Sequence, residues 1–216
     1  MAAPIPRAQL AQMLGLQLRA VLVFIVAVIL IGSCATRPPS NVDDLCRIFE
    51  ERPGWYKDAL RSTEKWGTPV HVQMAIIRQE STFKFNARPP RKKILGFIPG
   101  PRASDAYGYA QVKDATWDWY REKTGNRGAD RDDFGDAIDF VGWYTNLSQR
   151  TLGVSKWDPY NQYLAYHEGH GGFKNKTYRR KGWLMDVART VDHRAKEWGA
   201  QLRRCEDDLD DGWWWF

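Results

Sequence analysis

With 216 residues, the chain is the size of one domain behind a short leader, large enough to bury a core of its own. Nothing repeats and no low-complexity linker divides it, which excludes a repeat array or two tethered domains. A formal net charge of +6 and 11 tryptophans, in a chain of negative mean hydropathy, suit a soluble domain that handles sugars or anionic polymers.

The apolar run from Ala20 to Ile31 follows Arg7 and Arg19. It is short for a transmembrane helix, which needs about twenty residues, and it suits a signal-peptide core. An uncleaved anchor would have to reach back through Arg19. The end of the run, Ile31-Gly32-Ser33-Cys34, resembles a bacterial lipobox. That resemblance implies a signal peptide over residues 1–33 and a lipidated Cys34 opening the mature chain. Ala35, in place of the aspartate that marks inner-membrane retention, implies the periplasmic face of the outer membrane. Export excludes nucleic acid as the partner of the positive charge and leaves cell-wall polymer or lipid head groups. With Cys34 taken by lipid, Cys46 and Cys205 form an even pair that an oxidising periplasm would join, two buried free thiols being the other reading. No CxxC spacing offers a metal site.

Along the mature chain, residues 34–42 read as a linker and 43–205 as the folded domain. Asp44 to Glu51 and Gly54 to Trp66 read as two short helices broken by Pro53. Thr68 then caps a helix with Pro69 at its first position, and Val70, Met74 and Ile77 recur at helical spacing up to Glu80. Prolines and glycines between Phe85 and Tyr107 forbid regular helix and leave a loop with room for a short hairpin. Asp114 caps a helix over 116–123 that stops before Gly125. Asp133 opens a longer one to about Thr151, before Gly153. Asp158-Pro159 starts another that stops at Gly169, and Gly182 to Arg204 is the last. Strand patterns are scarce, so the fold class is all-α. Residues 206–216 read as an acidic, flexible tail ending in Trp213-Trp214-Trp215-Phe216, aromatics that could meet a partner, a membrane interface or the domain itself.

Glu80 sits three residues after Ile77 and four after Ile76, on the apolar stripe of its helix, where packing gives way to Ser81-Thr82. Desolvation at such an edge favours the protonated carboxyl, the form a general acid needs near neutral pH. An ordinary helix-end glutamate turned to solvent fits the same pattern. The loop poses a second choice: Arg91, Lys92, Lys93 and Arg102 surround an apolar tip of Ile94, Leu95, Phe97 and Ile98. A solvated surface loop, a lip over a groove, or a contact to membrane or protein partner through residues 91–98 all suit that composition.

Three motifs follow in order: Glu80-Ser81-Thr82-Phe83, then Ala106-Tyr107-Gly108-Tyr109-Ala110-Gln111, then Ala165-Tyr166-His167-Glu168-Gly169. Together they resemble the lytic transglycosylase domain of the soluble-lytic-transglycosylase type, over most of residues 70–200. The resemblance implies a lysozyme-like fold with the long basic loop beside the active-site groove, and peptidoglycan glycan strands as substrate. It assigns Glu80 as catalytic acid, Ser81 as its supporting neighbour, Gly108 and Gln111 as backbone and amide contacts to sugar, and Tyr166 as a neighbour of the catalytic carboxyl. Tyr109-Ala110 replaces the family's usual Leu-Met and His167 its usual Asn, which alters the sugar platform.

A usual glycosidase needs two carboxylates. The family pattern supplies one, which implies non-hydrolytic cleavage of the MurNAc-β-1,4-GlcNAc bond with closure of a 1,6-anhydro ring. Two rivals stand beside it: a lysozyme-type hydrolase with Glu168, Asp105 or Asp114 as second carboxylate, and a non-catalytic peptidoglycan-binding lipoprotein. His167 and His170 are three apart where zinc helices space histidines by four, so both read as polar groove lining, with neither metal nor cofactor.

Overall fold

The computed structural model describes residues 17, 19 and 37–211, and the elements whose bounds are described run from Leu45 to Asp211. They are α1 (Leu45–Glu51), α2 (Pro53–Trp66), α3 (Val70–Ser81), β1 (Arg91–Ile94), β2 (Ile98–Arg102), α4 (Asp114–Thr124), α5 (Phe134–Leu152), α6 (Pro159–Lys174), a 3-10 turn (Thr177–Arg180) and α7 (Gly182–Asp211). All belong to the unit that begins at Pro38. Among the described residues the fold is all-α apart from the two-stranded hairpin.

Asp44, Asp133 and Asp158 open α1, α5 and α6, each accepting a hydrogen bond from the backbone N–H three residues on, as capping chemistry predicts. Two expected caps fail. Thr68 does not cap α3, which starts from Pro69; its hydroxyl is buried and meets that of Thr145 at 2.7 Å, fastening α3's approach to α5. Asp114 is the first helical residue of α4, behind Lys113, and pairs with Arg131 at 2.6 Å. Pro53 takes the first position of α2 and so begins that helix one residue before Gly54.

Helix α3 runs through the middle of the domain, with Val70, Val72, Met74, Ala75, Ile76 and Ile77 all buried. Gln73 is buried beside them and fully satisfied. Its amide donates to the Thr68 carbonyl (2.7 Å) and the Thr63 hydroxyl (3.1 Å), while its oxygen accepts from Ser62 (2.7 Å). Around α3 the aromatics that stood out by number divide. Trp55, Trp117, Trp143 and Trp198 are core, with Trp55 stacked on Phe134 at 4.0 Å, whereas Trp157 and Trp183 face solvent.

Helix α7 runs on through Asp211, past the Arg204 at which sequence reading ends it. Residues 206–211 are therefore helical, and Cys205 and Leu209 pack on the core and carry the apolar face one turn further. Cys46 and Cys205 are bonded across a sequence separation of 159. No helix among the described residues is long and apolar enough to cross a membrane. Residues 20–31, Cys34 and Trp213 to Phe216 lie outside the described residues.

Candidate active site

Glu80 occupies the last turn of α3 and lines a cleft of about 480 Å³ with Gln111, Lys113, Thr116, Phe140, Tyr144, Tyr166, His167, Glu168 and Gly169 among its walls. That volume lies within the range of small-ligand sites. The helix ends abruptly behind it. Thr82 and Phe83 both take left-handed backbone (φ 53° and 58°), a strain of roughly 1–3 kcal/mol each. Burial of the Phe83 ring against Trp55 and Trp198 offsets this strain and fixes the direction in which the carboxyl emerges.

Burial pushes the Glu80 carboxyl up to about 7 from an ordinary 4.5, against the Tyr163 hydroxyl, which donates to it and favours the ionised form. Heavy burial, and after it the Glu80 charge, in turn push the Tyr163 and Tyr166 phenols above their usual range, so both stay protonated donors. Tyr166 spends its proton elsewhere: its hydroxyl donates to the Ala110 carbonyl at 2.7 Å, tying the third motif to the second.

Four of the sequence-predicted site residues, Glu80, Gln111, Tyr166 and His167, come together on this cleft. Gln111 serves it differently than expected. Its amide nitrogen donates to the carbonyls of Ala87 (2.8 Å) and Gly108 (2.9 Å), holding its own left-handed turn (φ 49°), so only its oxygen is left for a ligand. The other three do not reach the cleft. Tyr109 is a core residue with its ring edge-on to Trp55 and Phe134 at 5.6 and 5.5 Å, which corrects its reading as sugar platform. Ser81 is buried and its hydroxyl donates back to the Ile77 carbonyl at 3.3 Å. Gly108 (φ 77°) is glycine because the Arg131 backbone passes it: an added Cβ would lie 2.0 Å from the Arg131 carbonyl oxygen. Protein, and not sugar, makes the close approach there.

Helix α6 carries the third motif and does not stop at Gly169 but kinks there (φ 73°, ψ 161°), a conformation essentially confined to glycine, before continuing to Lys174. The histidines part at this kink. His167 faces the cleft, while His170 stacks on Tyr144 at 4.5 Å and meets the Ser148 hydroxyl at 2.9 Å, so it is not groove lining. Burial lowers the His170 pKa and favours its neutral ring. Of the three nominated second carboxylates only Glu168 reaches the cleft, and it is already engaged. Lys181 (2.6 Å), Thr177 and His167 (3.3 Å) surround it. Burial raises its pKa, but those contacts outweigh it and keep the carboxyl below its ordinary range.

The model of the transglycosylase SLT domain family matches residues 22–205. This chain belongs to that family. An SLT domain supports transglycosylase action on peptidoglycan, and the mostly helical architecture fits the lysozyme-like fold expected of it. No curated protein matches the chain.

Tyr163 was missed by motif reading, though its place one turn before Tyr166 on the same helix face was a usable signal. Tyr163→Phe removes the donor to the ionised carboxyl and is expected to move the alkaline fall of kcat/KM about one pH unit higher, with kcat down roughly tenfold. A pH–rate profile checks this. A uniform loss of rate with the limb unmoved would reduce Tyr163 to packing.

Proposed function

We propose that this SLT domain cleaves the MurNAc-β-1,4-GlcNAc bond of peptidoglycan without water, leaving 1,6-anhydro-MurNAc ends. The observation that carries the reading is one carboxyl, pushed up to about 7, lining a cleft whose other carboxylate is held by Lys181 and Thr177. Protonated Glu80 gives its proton to the glycosidic oxygen as the bond from C1 breaks, and the GlcNAc leaves as an alcohol. The muramyl acetamido group shields the cation that develops at C1. Ionised Glu80, steadied by the Tyr163 hydroxyl, then takes the proton of the muramyl 6-hydroxyl as O6 bonds to C1. The enzyme ends protonated as it began. A lysozyme-type hydrolase would need a free second carboxylate, and the contacts of Glu168 disfavour that role.

On the lipobox-like Ile31-Gly32-Ser33-Cys34 and the Ala35 that follows, we further propose that lipid on Cys34 holds the domain at the periplasmic face of the outer membrane. Mass spectrometry of muropeptides released from purified sacculi tests the reaction: wild type is expected to yield anhydro ends and Glu80→Gln essentially none. Reducing muramic ends would overturn the transglycosylase reading. Undiminished release by Glu80→Gln would overturn the role of the carboxyl.

A further inference from the structure

The strands β1 and β2 pair antiparallel, with Ile94 opposite Ile98 and a turn through Leu95 and Gly96, both at positive φ. Every residue from Arg91 to Pro99 is exposed. The apolar side chains gather at the turn, where Leu95 is 78%, Phe97 76%, Ile94 50% and Ile98 43% exposed. The cations stand behind them as a collar. Arg91 is the register partner of Arg102, and Lys92 and Lys93 fill the strand between Arg91 and the tip. Like charges opposite one another destabilise a ladder unless an anion joins them. Among the described residues, no ion pair involves any of these four cations.

The base of this hairpin is fixed while its tip touches little. Arg88 lies over the Tyr107 ring at 4.1 Å, the Tyr107 hydroxyl donates to Asp132 at 2.9 Å, and Arg102 donates to the Pro89 carbonyl. Pro89 and Ser104, just outside the two strands, line the Glu80 cleft. The hairpin is thus a projection rooted in the rim of the cleft.

We infer that the 91–102 hairpin docks on an anionic lipid bilayer, its Ile94, Leu95, Phe97 and Ile98 tip entering the acyl boundary and its Arg91, Lys92, Lys93 and Arg102 collar resting on phosphate head groups. The dimensions agree. Four residues of strand span about 13 Å, so a collar behind the tip sits at head-group level when the tip reaches roughly 5–10 Å deep. A lip closing on a glycan would present flat aromatic faces or hydrogen-bonding groups, and three of these four side chains are aliphatic. A stable protein interface takes about 800 Å² from each partner, more than four side chains at one narrow turn can offer. A bilayer needs no complementary surface, only apolar depth and negative charge. Because the hairpin springs from the cleft rim, docking would also hold the cleft at a set distance from the membrane.

Hydrogen-exchange mass spectrometry on the full chain reads this locally, whatever the segment before residue 37 does at the membrane. On vesicles of phosphatidylglycerol and phosphatidylcholine, amide exchange across 91–102 is expected to slow about tenfold, and on phosphatidylcholine alone to stay fast. Leu95→Ser with Phe97→Ser is expected to abolish that protection and leave exchange in α3, α5 and α7 as in wild type. Equal protection on both vesicle types would overturn the role of the cations. Fast exchange on both would overturn membrane docking and leave the tip to a protein partner, and protection by isolated glycan strands alone would make the hairpin a lip of the cleft.

Discussion

Glu80→Gln is expected to cut glycan turnover by about three orders of magnitude, within the contribution of a general acid, and to make the domain more stable at pH 8. The two effects share one cause. In the native domain burial lifts the carboxyl from 4.5 to about 7, so the folded chain holds a proton that the unfolded chain releases earlier. Below pH 4.5 both states are protonated and the residue adds no penalty. Between pH 4.5 and 7 the unfolded state loses its proton first and stability falls as pH rises; above 7 the full penalty remains. A shift of that size corresponds to about 3 kcal/mol at most, and partial exposure at the cleft brings it to roughly 1–3 kcal/mol. Glutamine cannot ionise, so at pH 8 the variant should melt roughly 2–10 °C higher, with little difference at pH 4. Thermal unfolding of both chains at the two pH values checks this. Loss of turnover with no pH-dependent gain in stability would mean that Glu80 touches substrate without being a desolvated acid.

Stability given up at one carboxyl is in keeping with the surrounding strain. Thr82 and Phe83 in left-handed backbone directly behind α3, Gln111 in the same region of φ, and the Gly169 kink all lie at or beside the cleft. At Thr82 and Phe83 the conformational energy is offset by the aromatic core around Trp55, Phe83 and Trp198.

Signals that act within a few residues were legible in the sequence. The Asp44, Asp133 and Asp158 caps, the break at Pro53 and the apolar period through Ile76 and Ile77 placed most helices within a residue or two and put Glu80 at a buried edge. What stayed hidden depends on contacts between distant segments. Tyr109 looks like groove lining from its motif, but Trp55 and Phe134 claim its ring. Gly108 looks like a sugar contact until the Arg131 backbone is seen against it. Glu168 looks free for catalysis until α6 kinks and Lys181 reaches it from beyond the 3-10 turn. In each case the packing partner, not the motif, decided what the side chain does.

Replacing both Cys46 and Cys205 by serine is expected to lower the melting temperature by about 10–15 °C while leaving turnover at 25 °C within about twofold. The bond closes a loop of 159 residues, and in the chain-entropy model removing so large a constraint from the unfolded chain favours unfolding by up to about 5 kcal/mol. The native contact it fastens does not depend on it. Leu45, Ile48 and Phe49 of α1 are buried, the Leu45 N–H donates to Gln201 at 2.7 Å, and the Trp198 indole donates to the Asp43 carbonyl at 3.0 Å. With α1 still seated on α7, the variant should fold. Neither cysteine lines the cleft, so the chemistry at Glu80 should persist until the domain melts. Wild type under reductant should melt with the variant, and an unchanged melting temperature in both would mean that the two ends of the domain are held by packing alone.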